Sequence, residues 1–482
     1  MSKIYVFAIG GTGSRVLRSL TMMLASGVET NGYDIVPVII DPDSSNADLT
    51  LSISTLNEYS EIRSRLNFSQ SKNRFFKTPI VSVHSLSDYK MTVANTSNKR
   101  FKDFINLAAM SRETRAMTEM LFSQKNLNAQ MSVGFKGNPN IGSVVLNQIV
   151  TPEDATQRRA VSLEFEAFAN SFQDGDRIFI VSSIFGGTGA SGFPLLLKTL
   201  RHNKIIPNSG LINNSTIGAI SVLPYFQLKT NVQSEINSDT FTSKTRAALS
   251  YYENNIDKEI NALYFIADDK YNTYDNNEGG ATQRDQAHLV EFFAATAILD
   301  FAKKEFPNTQ YLELGVNNAN IDSHKVIGSV RFTDLYSGLR GMLIRPLTMF
   351  ALTANLFKHH FSEISVTSLN KNNKLFKDTE AFYHSSYVEQ TKYFLNSYLQ
   401  WLREMQENIR QLDLFKLDCG EKPFEIINGV VPQRVTNYRS NYSLYYYYLN
   451  EAATTSGISE ENAFMELYYL GADKVMKEKF KM

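Results

Sequence analysis

Cysteine is almost missing from this chain: Cys419 is the only one in 482 residues, so no internal disulfide can form and no zinc-type cysteine spacing exists. Seven scattered histidines add no metal-ligand pattern. Net charge is missing too. The 49 lysines and arginines balance 49 aspartates and glutamates, which argues against a protein whose main work is gripping a polyanion, so nucleic acid is not expected as a direct ligand. No apolar run reaches the roughly 18 residues a membrane-spanning helix needs. The chain opens on a strand pattern, not on a charged-then-apolar leader. Internal repeats and low-complexity segments are absent as well. These absences lead us to expect a cytoplasmic protein without a membrane span.

What is present is a large apolar inventory, 43% hydrophobic with 32 Phe and 24 Tyr, enough for two or three domains with real cores. Arg177 to Arg201 reads as a buried strand, a glycine turn (Gly186, Gly187, Thr188, Gly189) and a helix entered near Pro194. Such a turn exposes backbone amides at a helix N-terminus, where the helix dipole adds partial positive charge, and phosphate is the usual occupant. Lys3 to Ile9 followed by Gly10, Gly11, Thr12, Gly13 and Ser14 repeats the pattern, with a helix over 15–25 and a second strand, Ile35 to Ile40, ending in Asp41-Pro42-Asp43. A dinucleotide site of Rossmann type is the nearest rival, but Val16 stands where its third glycine belongs.

Further along, Phe101 to Leu121 reads as a helix and Gly134 to Gly142 as a loop. Strands are expected at Thr216 to Val222 and Ala262 to Ala267, and helices at Ala247 to Ile260 and His288 to Lys304. Strands alternating with helices define an α/β, doubly wound, mostly parallel sheet with its ligand crevice at the strands' carboxyl ends. We expect this domain to span residues 1–304. Residues 305–482 are expected to form a helix-rich C-terminal domain: helices at Leu339 to His360 (broken near Pro346), Ser386 to Leu412 and Glu460 to Lys479, with short strands at Phe424 to Val431 and Tyr442 to Tyr448.

Taken together, these loops resemble the tubulin/FtsZ superfamily of nucleotide-binding, filament-forming proteins. The family's GGGTG signature stands here as Phe185, Gly186, Gly187, Thr188, Gly189, Ala190 and Ser191, with Phe185 and Ser191 in place of its first and last glycines. Gly10 to Ser14 resembles the first phosphate loop, and Asp41 to Asp43 the second. Gly134, Asn138, Pro139 and Gly142 match the third loop, with Gly137 where that loop has alanine and Lys136 in place of its second glycine; Pro224 lies in a ribose-side loop, and Asp268 ends the segment near sugar and base. Phe292 falls where the family stacks an aromatic on the base, and Thr296 where it has a base-reading asparagine.

The resemblance implies bound GTP or GDP with Mg²⁺, the metal held through water by Asp41 or Asp43. Asp268 could accept hydrogen bonds from guanine's ring N–H and exocyclic amine. No Walker-type lysine follows the loops, so this is no P-loop enzyme. In the family, water-orienting acids reach the nucleotide from the next subunit on a loop after the core helix, here Gly315 to Ser323. Asn318 matches, Asn320 stands where the first acid is expected, and Asp322 lies one place early. An amide can position water but cannot act as a general base, so hydrolysis is expected to be slow or absent unless Asp322 substitutes. Three functions compete: a protein that assembles head-to-tail with copies of itself into filaments, a non-polymerising nucleotide switch or scaffold whose C-terminal part binds a protein partner, and an NAD(P)-dependent enzyme.

Overall fold

The computed structural model of the chain describes residues 1–43, 45–84, 86–93, 96, 98–131, 134–135, 137–150, 162–229, 240–269, 272–274, 286–306, 310–313, 328–367, 375–376, 378–420, 422–433, 442–452 and 454–482. In chain order the strands are β1 (Lys3–Ile9), β2 (Asp34–Ile40), β3 (Lys90–Met91), β4 (Arg177–Ser183), β5 (Thr216–Val222), β6 (Phe226–Leu228), β7 (Ala262–Ile266), β8 (Asn272–Tyr274) and β9 (Gln310–Glu313). Seven of them form one parallel sheet in the order β3-β2-β1-β4-β5-β7-β9, while β6 and β8 pair apart from it. This is the expected α/β, doubly wound architecture.

Every residue of β1 from Ile4 to Ile9 is buried, because a central parallel strand is covered on both faces and can carry no polar alternation. The chain runs outward one way from β1 through β2 to β3 and the other way from β4 through β5. Right-handed crossovers in opposite directions put the helix after β1 (Gly10–Ala25) and the helix after β4 (Thr188–His202) on opposite faces of the sheet. The reversal falls between neighbours β1 and β4, whose register pairs Ile4 with Arg177 and Ala8 with Val181. Both glycine turns therefore leave adjacent strand ends at the topological switch point.

The C-terminal part packs on the helices of one face. Ser337–Thr367 lies against Ser386–Glu407 and Glu460–Val475, and Ser386–Glu407 also contacts Ala47–Ser64. A buried ion pair, Arg18 Nη1 to Glu404 Oε2 at 2.8 Å, fastens it, and Trp401 Nε1 donates to Ser19 Oγ at 3.2 Å.

Several elements differ from expectation. Tyr442–Asn450 is a helix and not a strand, its Leu444, Tyr445, Tyr448 and Leu449 buried at helical spacing. Pro423–Glu425 is a single 3₁₀ turn where a strand was expected. Phe101–Leu121 is interrupted: Phe101–Phe104 and Arg112–Leu121 are helical, and Asn106 between them takes the left-handed conformation. Helix Ser337–Thr367 runs through Pro346 and departs from helical angles at His360 instead. Thr188–His202 starts six residues before Pro194, and Pro139–Val150 begins inside the stretch read as a loop. Strand β9 lies beyond residue 304, so the sheet takes in residues assigned to the second part.

Gly218 of β5 shows how tightly the sheet is packed, since a methyl there would sit 2.7 Å from the Phe301 ring and 2.9 Å from Phe179. Gly218→Ala is expected to cost about 1–3 kcal/mol through overpacking, read as a lowered midpoint in urea unfolding with unchanged slope.

Candidate functional site

The glycine turns divide their labour. Gly10 has φ +71°, a left-handed conformation that favours glycine, and this lets the chain swing from β1 directly into a helix. Gly13 and Gly189 are packing positions: a methyl on Gly13 would lie 2.6 Å from the Ala8 carbonyl carbon, and one on Gly189 would lie 2.8 Å from Ser183 N. Each lets a helix press against the strand it leaves. Neither helix has a side-chain cap at its N-terminus, so the amides of both first turns are left to other partners.

The separate turns meet. A methyl on Gly10 would sit 3.3 Å from Thr188 Cβ, and one on Gly134 would lie 3.9 Å from both Thr188 Oγ1 and Pro42 Cγ. One on Gly187 would lie 3.1 Å from Gly137 N and 3.3 Å from Asn138 N, with Asn46 Nδ2 3.9 Å from the same position on Gly11. Thr188 is thus the hub, with the turns after β1, β2 and β4 and the Gly134–Asn138 turn around it. Gly186 and Ala190 flank it on the same turn.

Other expected residues serve the scaffold. Ser14 is fully buried, and Ser191 Oγ donates to Gly187 O at 2.7 Å, closing the first helical turn. A methyl on Gly142 would collide with Ser191 Oγ at 2.2 Å, so Ser191 fills space that Gly142 leaves open. Thr12 is buried, and Pro139 begins a helix. Asn318, Asn320 and Asp322 lie outside the described residues, as does Lys136.

On the second strand's loop, Asp41 Oδ1 accepts from Asp43 N at 3.0 Å, and Asp43 Oδ1 accepts from Ser45 N and Oγ. Asp43 is buried, so Asp41, partly exposed, is the better placed of the two toward a ligand. Burial pushes the Asp41 carboxyl up to about 7 against the lowering effect of the Asp43 amide. Among the described residues no group of three acids, histidines or cysteines could hold a metal. Mg²⁺ fits only with phosphate oxygens and water completing its shell around Asp41.

On the base side, Phe292 and Thr296 are corrected. Phe292 is fully buried and stacked on Trp401, 6.0 Å between centroids, so no ring face is left for a base. Thr296 is buried as well, its hydroxyl donating to Phe293 O at 2.7 Å. Asp268 faces an internal partner, Arg410 Nε at 2.7 Å from its Oδ1, and burial raises its pKa while Arg410 lowers it. Pro224 is half-buried beside Tyr225, and it is Tyr225 that makes the contacts.

The most connected residue near the turns is Arg15, which composition and spacing did not single out. Its guanidinium reaches Glu291 Oε1 through Nε, Asp48 Oδ2 at 3.0 Å and Tyr225 Oη at 2.9 Å. Tyr225 Oη donates to Glu291 Oε1 at 3.1 Å, and Glu291 Oε2 accepts from His288 N at 3.1 Å. His288 is held neutral, its pKa lowered to about 3 by burial and by Arg15 and Arg410 nearby. Its Nδ1 accepts from Val290 N. Lys244 was also missed. It comes from helix Phe241–Asn255, donates to Gly137 O at 2.9 Å, and has its pKa lowered by burial. Among the described residues it has no carboxylate partner. The sequence signal, a lysine in the first turn after Thr240, is too common to single out.

No family model matches the chain, and no curated protein matches it either. Among solved structures it is similar to CetZ from Methanosaeta thermophila (15% identity, TM-score 0.28, 55% of this chain and 46% of that one). It is also similar to a GTPγS-bound CetZ2 protofilament from Haloferax volcanii (13%, 0.26, 55% and 49%) and to a GDP-bound CetZ1 monomer from the same organism (12%, 0.29, 62% and 58%). The chain spans about half the length of the structures it matches.

The raised pKa of Asp41 predicts that fold stability depends on pH. Its pKa is raised from 3.8 to about 7, so its contribution is fully present below the unfolded value and is lost as pH climbs through about 7. Melts of Asp41→Asn and wild type between pH 4 and 8 should show the wild type losing stability with rising pH relative to the variant; parallel curves would contradict the assignment.

Proposed function

We propose that this chain is a divergent tubulin/FtsZ-like protein that binds a guanine nucleotide at the junction of β1, β2 and β4 and assembles head-to-tail with copies of itself, hydrolysing nucleotide slowly or not at all. The single observation that carries this reading is the meeting of the turns around Thr188, since four loops distant in sequence leave backbone amides and little side chain around one space. Two uncapped helix N-termini supply the partial positive charge a phosphate chain needs. Gly187 and Gly137 would flank the phosphates, Asp41 would face their Mg²⁺, and Lys244 would add a cation at the rim. Guanine is proposed on the loop resemblance, and Asp268 would have to exchange Arg410 for the base edge.

A second reading, a nucleotide switch that does not polymerise, is favoured by that same Arg410 contact. It ties the base-side loop to the C-terminal part, so nucleotide occupancy would be felt there directly.

Denaturing the purified protein and running the supernatant on anion-exchange chromatography should release GDP or GTP; NAD, or no nucleotide with none taken up on incubation, would sink the proposal. Gly187→Ala puts a methyl 3.1 Å from Gly137 N without straining the backbone, and should weaken nucleotide binding by about tenfold or more, equivalent to roughly 1.4 kcal/mol, with little change in melting temperature.

Assembly is tested separately by sedimentation with GTP, GDP or a slowly hydrolysed analogue. Pelleting that depends on nucleotide is expected for the filament, whereas a chain monomeric in all three conditions would leave the switch.

A further inference from the structure

A cleft of about 400 Å³ lies away from the turns, where helices Gly10–Ala25 and Ala47–Ser64 meet helices Ser337–Thr367 and Ser386–Glu407. Its size is in the range of small-molecule sites. Among the described residues its lining holds three cations, Arg18, Lys358 and Arg403, and no carboxylate. The remaining walls are largely hydroxyl and amide side chains, with Asn396 and Gln400 among them and the exposed Tyr393 ring at the mouth.

The charges around this cleft are incompletely matched. Arg18 is buried and its Nη1 is taken by Glu404, yet its Nε makes no hydrogen bond among the described residues. Lys358 Nζ and Arg403 Nη2 both point at one oxygen, Asp418 Oδ1, at 3.7 and 3.8 Å. Neither distance is a hydrogen bond. Asp418 is 78% exposed, so this shared contact is weak and screened. Two cations therefore converge on a single loosely held carboxylate, which leaves one positive charge without a counterion among the described residues.

We propose that this cleft is a second ligand site, which takes a small phosphate monoester: its dianionic phosphate displaces Asp418 between Lys358 and Arg403, and its organic part lies against Tyr393. A phosphate suits the pair better than a carboxylate does. It carries more charge, and its three oxygens can accept from the arginine fork and the lysine at once. The neutral amides of Asn396 and Gln400 can receive a polar organic group. Because Arg18 and Thr55 come from the first part of the chain and Lys358, Tyr393 and Arg403 from the second, the ligand would bridge the two.

Isothermal titration of the full chain with phenyl phosphate, with inorganic phosphate as a second arm, tests this. Saturable binding is expected, weakened about tenfold or more in Lys358→Gln and in Arg403→Gln, since each removes a charge-assisted contact. Asp418→Asn, an exposed change that leaves the fold alone, should tighten binding by removing the competing carboxylate. Weaker affinity for inorganic phosphate than for phenyl phosphate is expected, and equal affinity would overturn the assignment of an organic ester by showing free phosphate as the ligand. Absence of saturable binding would overturn the proposal. So would binding that Gly187→Ala abolishes while Lys358→Gln and Arg403→Gln leave it unchanged, because the probe would then occupy the nucleotide cradle.

Discussion

The buried guanidinium of Arg15 is the contact on which the rest of the molecule depends. It sits two residues past the Gly10–Gly13 turn and reaches Asp48 on the second helix, Glu291 at the head of the core helix and Tyr225 after β5. A charge so deep is tolerated only when its donors are matched, and removing one partner from such a cluster costs about 3–5 kcal/mol. Here the matching groups come from three other elements. The turn after β1 can keep its place beside Thr188 only if those elements are also in place, so the geometry of the cradle and the packing of the helical face are one problem.

The same helix then carries the contact to the C-terminal part. Arg18, one turn beyond Arg15, pairs with Glu404, whose Oε2 also accepts from Ala287 N just before the core helix. Asn408 donates to Ala287 O, and Arg410 meets Asp268. Within seven residues, from Glu404 to Arg410, the second part holds the loop that leads into the core helix from both sides. Asp268 at one end of that loop and Ala287 at the other are thus both tied to the second part by ion pairs and amide contacts.

Much of this was legible in the residues. Continuous apolar runs such as Lys3 to Ile9, short and closed by glycine turns, read as strands covered on both faces, and their alternation with helices points to a parallel, doubly wound sheet. Glycine-rich strand ends marked the turns, because the φ of Gly10 favours glycine and the close backbone approach at Gly13 and Gly189 leaves no room for a Cβ. The helical second part was legible from spacing, although aromatic runs such as Tyr445 to Tyr448 fit a strand as well as a helix. Burial at positions 444, 445, 448 and 449 decided between them.

By itself, then, the sequence determined the class of sheet and the two glycine turns at neighbouring strand ends, since those follow from local periodicity and backbone freedom. Only the tertiary structure decided which charges face each other. An arginine in a helix looks the same whether it meets water, like most, or three buried partners, like Arg15. The aromatic at Phe292 looks equally fit to stack on a base or on Trp401. Partner choice depends on contacts between residues far apart in the chain, 386 positions for Arg18 and Glu404, and no local pattern encodes separations of that kind.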